Sequence, residues 1–251
     1  MEIGWAAAGF ILGAIVGSFL ATAAIRWPAG EQAGTGRSRC DHCKRALRPL
    51  ELVPILSFMV RRGRCGACGG KIDRKHLLIE IAAAAVGAVA FAVAPGLDGA
   101  GGAMFGWGLL LLAVLDVEHF WLPDRATGLL ALFGIAFGAA GAAPFPNDRL
   151  IGGAAGFLSL WLIGRAYRLV RHRDGLGGGD PKLFGAIGAW LGWAALPHVL
   201  LLAGLAGVAS LMLAWARGEA VSATTRLPLG ALLAVAAWPV WLVSFAAMPR
   251  P

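Results

Sequence analysis

Charge is scarce in this chain. Only 14% of its 251 residues are Asp, Glu, Lys or Arg, where a soluble domain carries about a quarter to cover its surface. That shortage excludes an ordinary water-soluble globule. With 58% hydrophobic residues and a mean hydropathy of +0.71, the solvent this sequence expects is lipid. Tyrosine is nearly missing, one residue against ten Trp and twelve Phe. Of the tryptophans, Trp107, Trp121, Trp193 and Trp238 stand near the ends of apolar runs, where indole rings favour the headgroup layer. A cleavable signal is missing too. The first apolar run, from about Ile3 to Ile25, lacks a basic n-region and has its positive flank after it, which predicts a permanent first helix with its N-terminus outside.

What remains is informative by position. Glycine is abundant, 37 residues, as expected where membrane helices pack closely. The net charge of +8 does not point to nucleic acid, because twelve of the 22 Lys and Arg fall between Arg26 and Lys75, the only long polar stretch. Lys and Arg are retained in cytoplasmic loops, so this stretch is expected inside. Later spans are expected near 78–95, 100–120, 125–143, 150–170, 182–195, 198–216 and 228–247. Most approach the ~20 residues needed to cross ~30 Å of hydrocarbon, 182–195 being the shortest. Eight crossings with the N-terminus outside put 20 of the 22 cations inside and leave only Arg149 and Arg250 outside. The fold class expected is an all-α polytopic membrane protein of about eight transmembrane helices, with a small cytoplasmic zinc-binding loop domain between the first two. Its parts are residues 1–25 (first transmembrane helix), 26–77 (four-cysteine zinc-binding domain) and 78–251 (membrane-embedded domain carrying the two aspartates described below).

All four cysteines lie in that loop, as Cys40-Asp-His-Cys43 and Cys65-Gly-Ala-Cys68. Two C-x2-C knuckles of this kind, 21 residues apart, match a four-thiolate structural zinc site that leaves no open position for catalysis. Two disulfides or four inert thiols are the other readings; a reducing cytoplasm disfavours the first, and paired spacing is unneeded for the second. His42, inside a knuckle, is expected as a solvated side chain.

Acids within or beside the spans are few, and each is costly enough to be a functional candidate. Asp116 ends an apolar run entering from outside, and Asp180 opens a span leaving from inside after Gly175-Leu-Gly-Gly-Gly179. The topology brings both to the same cytoplasmic depth. A pair of aspartates able to share a proton is the core of aspartic proteolysis, one carboxylate activating water and the other acting as acid toward the scissile carbonyl. The structural alternatives are a helix-packing polar group for Asp116 and a helix N-cap for Asp180. Asp124 is expected to cap a helix beginning at Arg125, Glu80 to pair with an arginine of the loop, and Glu118, His119 and His198 to be interfacial or outer-face residues. A proton- or ion-coupled transporter would use the same aspartates as a relay, yet the spans supply almost no further ionisable lining. A scaffold presenting the cysteine loop is a third possibility.

Several ordered stretches resemble the type IV prepilin peptidases, GxGD-type membrane aspartic proteases. They are Gly17-Ser-Phe-Leu20 with Ile25-Arg-Trp-Pro28; the loop from Cys40 through Arg48-Pro49, Val53-Pro-Ile-Leu-Ser57 and Arg62-Gly-Arg-Cys65 to Cys68; Glu80; Leu115-Asp-Val-Glu-His-Phe-Trp-Leu-Pro-Asp124; and Gly175-Leu-Gly-Gly-Gly-Asp-Pro-Lys-Leu183 with Gly188-Ala-Trp-Leu-Gly192. The resemblance implies catalytic Asp116 and Asp180 and a multi-pass protein of the bacterial inner membrane with its active site at the cytoplasmic face. It implies as partners membrane lipid and the positively charged leader segments of prepilins or pseudopilins, cut after a glycine at the edge of the pilin's hydrophobic helix. Many relatives then methylate the new N-terminus with S-adenosylmethionine. This chain departs from the family pattern at Ala21, where asparagine is usual, at Pro181, and at Leu227-Pro-Leu-Gly230, which only partly matches a C-terminal motif.

Overall fold

The computed structural model describes every residue except 1, 33, 35, 36, 41, 223, 224 and 247–251. The expected outer position of Arg250 lies outside the described residues. Those described form an all-helical fold: α1 (Glu2–Arg26), short α2 (Leu56–Val60), α3 (Arg74–Val93), α4 (Leu97–His119), α5 (Asp124–Ala139), α6 (Pro146–Arg171), α7 (Asp180–Leu191), α8 (Leu196–Ala216) and α9 (Leu229–Ala246). Apart from α2, these fall where the eight spans are expected. Five stretches are long and apolar enough to cross a membrane, 3–26, 74–93, 97–119, 146–171 and 193–216. With this composition they make the chain an integral membrane protein. α5 has 16 residues and α7 only 12, about 24 and 18 Å of helix.

The chain divides into two compact units, Met1–Leu111 and Leu112–Pro251. In the first, α1 lies along α3 at close range. The reason is in the sequence: Gly9, Gly13 and Gly17 recur every fourth residue and share one helix face. A Cβ at Gly17 would stand 2.8 Å from Ala83 Cβ and from Glu80 Cα, and one at Gly9 2.8 Å from Phe91. Without those side chains the two backbones meet, and dispersion replaces the hydrophobic drive that lipid cannot supply. Trp107 departs from the expected headgroup position. It stands midway along α4, and its indole donates to the Ala83 carbonyl at 2.8 Å, because a polar N–H at that depth needs a partner.

In the second unit the same device joins α6 to α7, where Gly156 faces the Phe184 and Gly185 backbone. Trp190 on α7 donates to the Leu130 carbonyl of α5 at 2.7 Å. Arg149 is not a solvated outer residue. It is buried, 2% exposed, and its guanidinium donates to the carbonyls of Gly134 (2.7 Å), Ala142 (3.3 Å), Ala143 (2.6 Å), Pro144 (3.0 Å) and Ala189 (3.3 Å). One fork of five N–H groups thus ties the α5–α6 connection to the backbones of α5 and α7 and gives donors to loop carbonyls that lipid would leave unpaired.

Candidate active site and metal centre

Asp116 sits in the last turns of α4 and Asp180 begins α7; both side chains are buried. Asp180 Oδ2 accepts from the Gly177 N–H at 3.0 Å, while the Asp180 N–H donates back to the Gly177 carbonyl at 3.2 Å. This reciprocal turn holds the carboxylate at the mouth of α7. It also answers the N-cap alternative, since Asp180 is the first helical residue and accepts from an upstream amide, with Gly179 as the cap. The glycines have steric reasons. A Cβ at Gly177 would lie 2.9 Å from Asp180 Oδ2, and one at Gly179 would lie 2.7 Å from Leu122 Cβ.

Asp116 Oδ2 accepts from the Ala231 N–H at 2.8 Å. That amide belongs to the first turn of α9, where N–H groups have no intrahelical partner and favour negative charge. The neighbouring Gly230 N–H interacts with both Asp116 and Asp180, and the two carboxylates lie within electrostatic reach of each other. A side chain at Gly230 would meet Asp116 Oδ2 at 3.0 Å and Leu122 Cδ1 at 2.7 Å. The structure therefore brings the two sequence-predicted aspartates together and adds a third element, the start of α9. In the sequence, Leu227-Pro-Leu-Gly230 is only an imperfect motif. The available signal is a proline and a glycine at the entrance of an apolar helix.

Asp124 does not cap its helix. It is the first residue of α5 after Pro123, makes no side-chain cap bond, and instead pairs with Lys182 at 2.6 Å. Proline holds the cap position, and the Thr127 hydroxyl donates back to the Asp124 carbonyl at 3.1 Å. Glu118 and His119 close α4, their side chains 3.7 Å apart. Glu80 is buried as an acid on a packed helix must be, but its partner is a backbone amide: Ile55 N–H donates to Oε2 at 2.7 Å.

In the loop of the first unit, the thiols of Cys40, Cys43, Cys65 and Cys68 are unbridged and lie within 4.8 Å of one another. The two knuckles repeat one geometry. Each is closed by a single antiparallel bridge, Arg39 to Ala46 and Arg64 to Lys71. In each, the residue after the second cysteine takes a left-handed turn, Lys44 at φ 57° and Gly69 at φ 69°, and donates to the carbonyl of the first cysteine. Cys40 Sγ and Cys68 Sγ are 3.9 Å apart, close to the roughly 3.8 Å that tetrahedral Zn–S bonds of about 2.3 Å impose. The N–H groups of Cys68 and Ala67 hold the Cys65 thiol down to about 6. Cys68 is pushed up to about 11, since the Gly70 N–H favours its thiolate but burial and the neighbouring thiols outweigh it. Four sulfur atoms this close can hold a metal ion once all four are deprotonated.

His42 is not part of the thiol cluster; its Nε2 lies 3.2 Å from the Lys71 carbonyl and ties the first knuckle to the second. Arg45 (2.7 Å) and Arg61 (3.1 Å) bracket Glu51 beside the cluster. The Arg48 N–H and then the Arg45 guanidinium hold the Glu51 carboxyl below the ordinary carboxylate range.

The chain is similar to known proteins along most of its length. Residues 11–94 match the model of the Bacterial Peptidase A24 N-terminal domain, and residues 103–212 that of the Type IV leader peptidase family. A prepilin leader peptidase/N-methyltransferase of Aeromonas hydrophila is 38% identical over 204 residues, 80% of this chain and 70% of the relative. Its counterpart in Burkholderia pseudomallei (strain 1026b) is 38% identical over 251 residues, covering 89% of this chain and 81% of the relative. One from Dickeya chrysanthemi is 36% identical over 260 residues, 92% and 90% of the two. No solved structure matches. Matched from its first helix to its eighth at these identities, the chain belongs to the type IV leader peptidase family.

Proposed function

We propose that this chain is a membrane aspartic endopeptidase that removes the leader of a type IV prepilin or pseudopilin, with Asp116 and Asp180 as its catalytic pair. One observation carries the reading. Two buried carboxylates from different helices flank Leu122 and the start of α9, Asp116 held by the Ala231 amide and Asp180 by that of Gly177. Neighbouring carboxylates favour a state in which one is protonated and the other ionised. The ionised carboxylate takes a proton from water as the oxygen attacks the scissile carbonyl, and the protonated partner donates to the carbonyl oxygen. The Gly177 and Ala231 amides orient the pair through the cycle.

Family membership supports a bacterial inner-membrane location, and the excess of Lys and Arg in the loops expected inside supports a site at the cytoplasmic face. In functional terms, residues 26–77 form the metal-binding domain and 78–251 the peptidase domain. The cysteine cluster fits structural zinc in ligand type, number and spacing; zinc there supplies folding free energy to the loop and no chemistry. The transporter alternative finds no support among the relatives.

N-methylation of the new N-terminus, named in those relatives, would draw on S-adenosylmethionine. That molecule carries an ammonium and a sulfonium against one carboxylate. The polar cleft of the first unit sets Arg26, Arg39, Arg61, Arg64 and Lys71 against Glu51 and Glu80, an excess of positive charge that fits a net cation poorly. Mass spectrometry of a co-expressed pilin's mature N-terminus tests the proposal. Removal of the leader at a glycine is expected, with any added methyl read in the same spectrum. An uncleaved pilin would contradict it.

A further inference from the structure

The segment after the first knuckle exposes an unusual amount of apolar surface. Leu50 is 81% exposed, Leu56 59%, Met59 65% and Val60 74%. These residues sit on and just before α2, inside the most polar stretch of the chain. Their depth is fixed by one bond, from the Ile55 N–H to Glu80 Oε2. Glu80 lies six residues into α3, which begins at Arg74, about 9 Å down the helix axis. The segment is therefore drawn along α3 to a level where Leu78 and Ile81 of α3 and Phe19 of α1 also expose apolar side chains.

Behind it lies a cleft between the ends of α1 and α3 and the cysteine loop, lined by Ser18, Thr22 and Ser57 hydroxyls and five cations. Of those cations only Arg61 is spent, on Glu51. Arg26, Arg39, Arg64 and Lys71 have no carboxylate partner among the described residues. Glu51 is engaged by Arg45, Arg61 and the Arg48 amide, and Glu80 accepts from the Ile55 amide, so the cleft sets five cations against two acids. An apolar face at helix-end depth, beside a cleft of unpaired cations, is complementary to one kind of partner, a lipid with an anionic phosphate headgroup above its acyl chain.

We propose that the cysteine loop is docked on the bilayer, with Leu56, Met59 and Val60 in the acyl boundary and an anionic phospholipid headgroup in the cleft between α1, α3 and the loop. This rests on the membrane reading of the chain and not on the peptidase assignment. Docking would hold the loop against the membrane surface instead of leaving it free in solution.

The test is hydrogen exchange of residues 50–62 in the full-length, zinc-loaded protein, placed in detergent, in phosphatidylcholine nanodiscs, or in nanodiscs that also contain phosphatidylglycerol. Protection is expected to be greatest with phosphatidylglycerol. Arg39→Gln, Arg64→Gln and Lys71→Gln should each remove about five-fold of it. Leu56→Ser with Met59→Ser should remove protection in every lipid, with bound zinc showing that the loop stays folded. Asp116→Asn should leave protection unchanged even if cleavage is lost, which separates this proposal from the peptidase reading. Equal protection with and without phosphatidylglycerol would overturn it. So would the same protection from inorganic phosphate in detergent, or protection that appears only on adding a prepilin, which would mark a protein-docking face.

Discussion

The Ala231 N–H donates to Asp116 Oδ2 at 2.8 Å across 115 residues of sequence. The contact makes the start of α9 part of the proposed catalytic arrangement, because the amide that steadies one aspartate is fixed by the helix that follows it. Side chains at 230 and 231 therefore matter through the space they occupy as much as through their chemistry.

Gly230→Ala is the sharpest probe of that arrangement. A methyl group there meets Asp116 Oδ2 at 3.0 Å and Leu122 Cδ1 at 2.7 Å, so the carboxylate or α9 must shift by several tenths of an ångström. Misplacement on that scale costs up to about 100-fold in rate. We expect kcat to fall in a prepilin cleavage assay while the thermal unfolding midpoint in detergent changes little. Unchanged kcat would remove α9 from the site.

Arg149→Met should act on stability. Five carbonyls lose their donor at a buried position, and leaving even one such group unpaired costs about 1–3 kcal/mol. A lower unfolding temperature is expected, checked by scanning fluorimetry in detergent. Arg149→Lys should restore little of it, since a single ammonium cannot fan across five acceptors.

The metal centre should bind one zinc per chain, measured on the purified protein by atomic emission. Cys65→Ser should lower that content sharply and loosen the loop, seen as faster proteolysis near residues 40–70. Cleavage of prepilin should be reduced far less than by substitution of either aspartate. Full zinc content in Cys65→Ser would rule out the four-thiolate site.

Much of this was legible in the sequence for physical reasons. Apolar runs bounded by Pro and Gly mark helices with lipid as solvent, and α3 to α9 begin within four residues of the expected spans. The aspartates were legible because acids are rare at that depth, and the thiols because paired spacing has few other uses. Partners chosen by the tertiary fold were not. Asp124 had a cap's position, but Pro123 took the cap and Lys182 took the carboxylate. Glu80 needed a donor, and Ile55 reached it before any arginine. Trp107 looked like a headgroup anchor until α3 supplied a carbonyl. Arg149 read as a stray outer cation because nothing local shows that its five acceptors converge. Gly230 stood in a partly matching motif with no role attached, and Ala231 was invisible for the same reason as Arg149, its partner being carried by another helix.

The most direct measurement is cleavage of a purified prepilin by the reconstituted protein, comparing the parent chain with Asp116→Asn and Asp180→Asn. Each variant keeps the shape and most hydrogen bonds of the carboxylate but cannot share its proton. Both are expected to fold, to retain zinc and to lose cleavage by about 1,000-fold or more, on the scale of losing an essential acid or base. Substantial cleavage by either variant would contradict the aspartic mechanism.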